Sequence, residues 1–523
     1  MNRPSMTPDE ALALAKEHTR RGNTEAAIGI YQSILARAPQ HKKAKKALNA
    51  LYKADGNKST TALKADMDAV LALYGQGQLD QALTQVKRLC KLHPEQPMPL
   101  NVMGVILVAL GDNEQALEQY QKALTLAPEY LDALNNMGSA LHAMGRHEDA
   151  IGTYEKLLSM NPQDADGHYN LGNVLVSENR LDEAVASYEK ALAVNAGLPR
   201  YHIKLGQALA KAGRHNPAMV SYRTALDLDP NRADALELMG NALVEQGLRS
   251  SAISWYRDAA RLAPDNAMLQ LKLGQNLLET GKKEEAISAL ETSLALEPAS
   301  NSAEHYLAAA KGLSPEAPPT YYVADLFYED YARNFEKRLV ADLRYDAPTN
   351  LRKMVNEFGQ LPGPVPTLMD LGCGTGLCAI AFNGLFDHIE GIDLSPNMLA
   401  EAERKQIYDA LHLGDIANTL DQLDQTFELF TCADTLLYLG NLEPVMQSVS
   451  NRAAQGALFA FSTEHFDGDG YKLRNSGRYA HSKEYVVGRA KEVRFELIAY
   501  EESNLRKESY GWITGGFYLM KKQ

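Results

Sequence analysis

Two patterns of apolar positions divide the chain. Up to about residue 300, small and aromatic residues return every 34 positions: Ala82, Ala116, Ala150, Ala184, Ala218, Ala252 and Ala286 hold one phase, Gly104, Gly138, Gly172, Gly206, Gly240 and Gly274 a second, and Tyr120, Tyr154, Tyr188, Tyr222 and Tyr256 a third. The recurrence predicts one helix pair per period, with the small residues allowing close approach and the tyrosine as the larger packing residue of the second helix. From residue 366 the pattern becomes short apolar runs, at 366–369, 389–393, 410–416, 427–433 and 457–463, several closed by an acid. These predict buried strands with helices such as 377–385 between them.

Turn residues keep the same grid. Pro94, Pro128, Pro162, Pro230, Pro264 and Pro298 are in register, with Ala196 at the one point lacking proline. Gly77, Gly111, Gly145, Asn179, Gly213, Gly247 and Gly281 fall at the turn inside each period, where a left-handed residue ends the first helix and only glycine or asparagine sits readily. Thirty-four is the tetratricopeptide (TPR) period, so this part is expected as an all-α superhelix. Seven repeats are expected over 63–300, with an earlier repeat in 1–41 carried by Gly22, Ala27, Tyr31 and Pro39. Residues 42–62, opened by the basic run 41–46, are expected as a spacer helix or linker that lets the first repeat swing or pair with a second chain in a homodimer. Residues 301–319 read as a capping helix and linker, and 320–523 as the strand-rich domain.

Composition narrows the function classes. At 523 residues the chain exceeds one core, and 45% hydrophobic with 23% charged residues is ordinary for a globular protein. The longest apolar stretch, 102–110, is far short of a membrane span, and the first residues lack the apolar core of a signal peptide, so a cytoplasmic location without membrane is expected. A formal net charge of −13 argues against nucleic acid as partner. Cys90, Cys373, Cys378 and Cys432 are too few and scattered for a disulfide framework, and Cys373 with Cys378 lacks the second pair of a zinc site, so no metal is expected.

The segment 370–376, D-L-G-C-G-T-G, joins a strand end to a helix start through Gly372, Gly374 and Gly376. Its spacing differs from the G-x-G-x-x-G that grips a pyrophosphate, and the acid at its head, Asp370, suits a ligand with a positive group. This run resembles motif I of the class I S-adenosylmethionine-dependent methyltransferases. The resemblance implies a Rossmann-like α/β domain with a seven-stranded, mostly parallel sheet, closed by an antiparallel hairpin at 494–500 and 512–520. It also implies that Asp393, about 20 residues beyond the first glycine, holds the ribose hydroxyls. Asp415 meets the adenine amino group or caps the helix that starts at Ile416, or does both. Leu394, Met398 and Ile416 complete the expected cofactor contacts. Asp434 and Tyr438 fall beside the point where a methyl acceptor would sit.

Residues 321–523 resemble, more narrowly, a bacterial group of methyltransferases that contain tetratricopeptide repeats, through 328–335, 477–482 and 505–508. The segments 321–335 and 464–482 are expected to roof the acceptor pocket with Tyr322, Phe327, Tyr328, Tyr331, Phe335, Tyr471 and Tyr479, and Tyr331 to lie near the cofactor. His465 and His481 are the candidate bases, with Tyr438 beside them. Arg478 and Arg506 either hold an acidic acceptor or form surface ion pairs.

The first helix of each repeat lines the concave face of such a superhelix. There Asn136, Asn170, Lys204 and Lys272 share one repeated position, and Ser139, Asn173, Gln207, Asn241 and Gln275 another. An exposed amide ladder can hydrogen-bond an extended peptide, and the lysines can hold carboxylates; a solvated face without ligand is the alternative. Three functions are compatible with these features: a methyltransferase whose array recruits a protein or peptide, a small-molecule methyltransferase whose array serves assembly, or a scaffold with an inert catalytic domain.

Overall fold

The computed structural model describes residues 8–37, 41–319, 322–326, 332, 335–336, 339, 345–361, 366–508 and 511–523. The chain divides into two compact units, Met1–Ala208 and Leu209–Gln523.

The first unit is helical, its pairs exemplified by Leu131–Ala143 with His147–Met160 and Ala165–Ser177 with Leu181–Val194. The phase-locked glycines have a steric cause. A Cβ on Gly138 would stand 2.6 Å from Cζ of Tyr154, and one on Gly172 2.6 Å from Cε1 of Tyr188, so glycine makes room for the tyrosine of its own repeat. At the inner turns the cause is conformational: Asn179 has φ +57° where its counterparts are left-handed glycines such as Gly145 at +73°. Asp112 and Asp164 cap helices by accepting from the amides of Gln115 and Gly167.

The stretch 42–62 is continuous with residues 63–75, inside one 34-residue helix, Lys42–Gly75. Its first half packs Ala44 and Leu48 against Leu12, Ala15, Ala27 and Tyr31, and its second half packs Leu63, Met67 and Val70 against Ala82, Val86 and Ile106.

The second unit continues with helices from His215–Leu228 to Lys283–Leu296, then Asn301–Lys311, which is capped by the Ser300 hydroxyl and ended by Gly312 at φ +73°. The sheet comes next along the chain: β1 Thr367–Leu371, β2 His388–Asp393, β3 Ala410–Leu413, β4 Phe427–Cys432, β5 Ala453–His465, β6 Tyr471–Leu473, β7 Tyr479–His481, β8 Phe495–Glu508 and β9 Gly511–Lys522. Strands β3-β2-β1-β4-β5 run parallel in that order, β9 lies antiparallel to β5, and β8 antiparallel to β9. Alternate residues face opposite layers. Met369, Ile392, Phe430 and Phe459 share one cluster; Leu368, Leu429, Leu458 and Ala460 share the other.

Among the described residues, nine strands replace the expected seven. Pairing of β5 with β4 ends at Phe461, and β5 runs on, so the edge groups of Glu464 and His465 need partners and find them in Ala480 and His481 of β7, which β6 flanks. The insertion 464–482 is thus part of the sheet. It also shares a core with the end of the array: Leu473 and Tyr479 are buried with Tyr306, Tyr322, Leu277 and Leu278.

Candidate active site

A cavity opens at the carboxyl ends of β1, β2 and β4, where open α/β sheets place their ligands. The glycine turn forms its floor. Gly372, Gly374 and Gly376 have φ of +66°, +54° and +94°, a run of left-handed residues that other side chains rarely follow. A Cβ on Gly372 would meet Thr435, with Cβ of Thr435 2.8 Å away, whereas one on Gly374 would find only Cε of Met398, at 3.6 Å, and would project into the cavity. Gly376 is not on the wall; it precedes the helix Leu377–Phe382 and packs under Tyr408.

The acids at the strand ends are held in different ways. Asp370 is buried, with Oδ2 accepting from the Tyr408 hydroxyl at 2.7 Å and Oδ1 from Thr431 Oγ1 at 2.8 Å. Burial pushes its carboxyl up to about 6, against the pull of those two hydrogen bonds. Asp393 accepts from the Gly374 amide through one oxygen and from the Ser395 amide through the other, both at 2.8 Å, so it ties β2 to the glycine turn. Burial raises its carboxyl also. With about four lone-pair sites on its two oxygens, the carboxylate keeps acceptor capacity for a ligand hydroxyl beside these amides and that of Leu394. Asp415 is exposed and caps Ile416–Gln422 by accepting from the Asn418 amide.

Leu394, Met398, Ile416 and Tyr438 line the same cavity, with Asp434, Arg478 and Arg506 on the far side. Asp434 holds φ +55°, a strained conformation for an aspartate, and its Oδ1 accepts from Arg506 Nη1 at 2.6 Å. Arg506 is 1% exposed and also meets Glu464 and Glu508, while Arg478 pairs with Glu508. The two arginines therefore belong to a buried network with three carboxylates, where surface ion pairs were one expectation. Every guanidinium nitrogen of Arg506 already donates to a carboxylate.

Neither histidine reaches the wall. His481 is fully buried in β7, its Nε2 donating to the Gly440 carbonyl, and burial pulls its imidazole down to about 4, so it is neutral and enclosed. His465 lies at the end of β5 among Asp467, Tyr500 and Glu502. Of the candidate catalytic residues only Tyr438 lines the cavity. Of the expected roof segments, Val323, Phe335 and Arg478 line it; Tyr322 and Tyr479 pack instead with His305 and Tyr306, and Tyr471 with Tyr479, His481 and Tyr485. Tyr331, Phe327 and Tyr328 lie outside the described residues. Sequence reasoning misses Tyr408, Thr431, Thr435 and Glu464: each acts through a residue that the motif names, and no spacing announces it.

The amides and lysines of the repeat ladder are half-buried where exposure was expected, and Ser139 is exposed. Asn136 donates to Asn101 and Asn170 to Asn135, while Asn173 and Asn241 each accept the hydroxyl of Tyr188 or Tyr256 at 2.8 Å. Ser139 pairs in the same way with Tyr154. Asn173 and Asn241 thus satisfy buried tyrosines, and Asn136 and Asn170 satisfy neighbouring amides. Lys272 forms an ion pair with Glu237 at 2.6 Å. Asn173, Lys204 and Gln207 line one groove of the first unit with His142, Tyr169 and Tyr188.

Comparison with known proteins agrees with both parts. Residues 368–456 match a methyltransferase domain family, and tetratricopeptide repeat families match 104–145, 207–247, 135–199, 169–219, 233–266 and 269–300. A protein of Geobacillus sp. (strain WCH70) named as a putative methyltransferase is 30% identical over 128 residues, 24% of this chain and 50% of that protein. Methyltransferase-like protein 27 of Homo sapiens is 37% identical over 91 residues, 17% of this chain and 36% of that protein. The chain thus spans half or less of the length of these relatives. Among solved structures, YrrB, described as a TPR protein with an unusual peptide-binding site, is 24% identical with a TM-score of 0.32, covering 36% of this chain and 97% of its own. The chain joins tetratricopeptide repeats to a methyltransferase domain. Among the described residues, no helix is long and apolar enough to cross a membrane.

Proposed function

We propose that this chain is an S-adenosylmethionine-dependent methyltransferase whose repeats recruit a protein or peptide partner. The observation that carries the reading is the left-handed glycine turn, tied by Asp393 to the neighbouring strand and leaving open space above Gly374. In this reading Asp393 takes the ribose hydroxyls, Asp415 the adenine amino group, and Leu394, Met398 and Ile416 the adenine faces. The bound cofactor supplies an electrophilic methyl group on a sulfonium. The chain's own task is alignment and exclusion of water. Asp370 and Asp393 put carboxylates at the glycine-turn side of the cavity, which favours a cationic donor, while Asp434 is already paired with Arg506. Tyr438 and Asp434 face the acceptor, and of the two the Asp434 carboxylate can take a proton from it. Lys204, Gln207 and Asn173 form the partner contact of the first unit, with Lys204 as the cation for a carboxylate.

Calorimetry on the full chain should detect S-adenosylmethionine binding, and absence of heat at high protein concentration would sink the assignment. Asp393→Ala should weaken that binding by about 1–3 kcal/mol through lost charge-assisted hydrogen bonds. A second reading, with a small-molecule acceptor and an array used for assembly, is favoured by the ladder amides that serve internal tyrosines. Radiolabelled methyl donor added to extract separates the two. Label in a discrete protein band, lost when Lys204→Ala and Gln207→Ala are combined, supports the first; label confined to the small-molecule fraction supports the second.

A further inference from the structure

The far wall of the cavity is built on the end of the repeat array. Arg478 comes after a tight turn in which the Gly477 amide donates to the Arg474 carbonyl and the Arg474 amide to the Arg478 carbonyl. That turn leans on the helix Asn301–Lys311. His305 Nε2 donates to the Gly477 carbonyl at 2.8 Å, the Tyr306 hydroxyl donates to the Ser476 carbonyl at 3.3 Å, and Asn475 Nδ2 reaches back to the Leu278 carbonyl at 3.1 Å. His305 is 1% exposed, and its ring lies 4.0 Å from that of Tyr322. Gly477 has φ +76°, and a Cβ on it would stand 2.7 Å from the Tyr322 hydroxyl and 3.0 Å from Cζ of Tyr306. No residue but glycine fits between the array and the turn.

The segment after that helix holds the other side of the wall. The Glu316 carbonyl accepts from the amides of Gly440 and Asn441, directly after Tyr438 and Leu439, and Ser314 Oγ accepts from the Leu473 amide. Residues 305–316 are therefore hydrogen-bonded to both loops that carry Tyr438 and Arg478. The hydrogen bonds that fix Gly374, Asp393 and Asp415 are instead made within the α/β domain itself.

We propose that the terminal helix of the array is part of the catalytic site, with His305 and Tyr306 as positioning residues that set Arg478 and, with it, the acceptor side, while leaving the cofactor side alone. This rests on the reading of the far wall as the acceptor side. A buried, neutral imidazole donating one N–H to one carbonyl fixes a loop in direction as well as position, since burial keeps the ring uncharged at neutral pH.

The test uses the full chain with His305→Ala, His305→Gln and Tyr306→Phe. Hydrogen–deuterium exchange should rise at least tenfold in peptides spanning 474–481 for His305→Ala and stay level over 368–395. Glutamine keeps an N–H donor and should restore protection, and Tyr306→Phe should raise exchange a few-fold at the same turn. S-adenosylhomocysteine, titrated into each variant, should bind within twofold of the parent. Exchange that is unchanged over 474–481, that rises equally over 368–395, or that glutamine fails to restore overturns the proposal. A parent chain that takes up no S-adenosylhomocysteine overturns the proposed function instead, and the exchange pattern still decides whether the array holds the turn.

Discussion

Glycine does opposite work in the two halves of this chain. In the array, Gly138 and Gly172 vacate space that the protein fills itself with Tyr154 and Tyr188. In the turn after β1, Gly374 vacates space that the protein leaves open, with its nearest neighbour at 3.6 Å. Charge divides along the same line. Array pairs such as Lys122 with Glu118 and Arg146 with Asp149 have side chains more than half exposed, whereas Asp370, Glu464 and Arg506 are at most 2% exposed. Repetition makes a rigid support from ordinary parts, and the strained and costly features gather where a ligand would be held.

The contrast can be broken in four places. Gly372→Ala combines a left-handed backbone with a Cβ driven into Thr435, so it should cost roughly 2–5 kcal/mol in urea unfolding and abolish cofactor binding. Asp370 should make stability pH-dependent. Its folded carboxyl is raised from 3.8 to about 6, so the native state holds a proton that the unfolded chain releases, and stability is full below about 4 and falls as pH rises through 6. Relative to Asp370→Asn, the parent should lose about 3 kcal/mol across that interval, measured by denaturation at stepped pH. An equal slope in both proteins would place the carboxylate in solvent.

Gly138→Ala should cost about 1–3 kcal/mol by pressing on the Tyr154 ring, with cofactor affinity untouched. The smallest stability effect belongs to Gly374→Ala, about 1–2 kcal/mol for the left-handed residue alone, but here cofactor affinity should fall at least tenfold in calorimetry. If Gly138→Ala and Gly374→Ala exchanged these signatures, the division of labour between array and turn would be wrong.

The parts legible in the sequence are those fixed by a local rule. A 34-residue grid exposes the repeats because each period must rebuild the same turn and the same glycine–tyrosine contact, and Asn179 keeps its place by sharing the left-handed conformation. The glycine turn is legible through its spacing. What fails depends on tertiary context. β6 and β7 are three residues each, too short to show a period, so His481 reads as a loop residue facing the pocket although β5 pairing buries it. The amides at Asn173 and Asn241 suggest a peptide ladder because nothing in their spacing reveals the tyrosine hydroxyls beneath them. Tyr408, in the loop before β3, gives no signal, since its partner Asp370 is 38 residues away on β1.

The helix Lys42–Gly75 serves two apolar clusters, with Leu48 the last described buried contact of one and Leu63 the first of the other. Each residue turns a helix by about 100° and advances it about 1.5 Å, so the length between the clusters sets the angle at which they face outwards. One inserted residue would swing the first helix pair by more than about a quarter of a circle, whereas about eighteen would return it to the same heading some ~27 Å further out. This rod works as an angular gear. Changes in its length should survive only in steps close to whole turns.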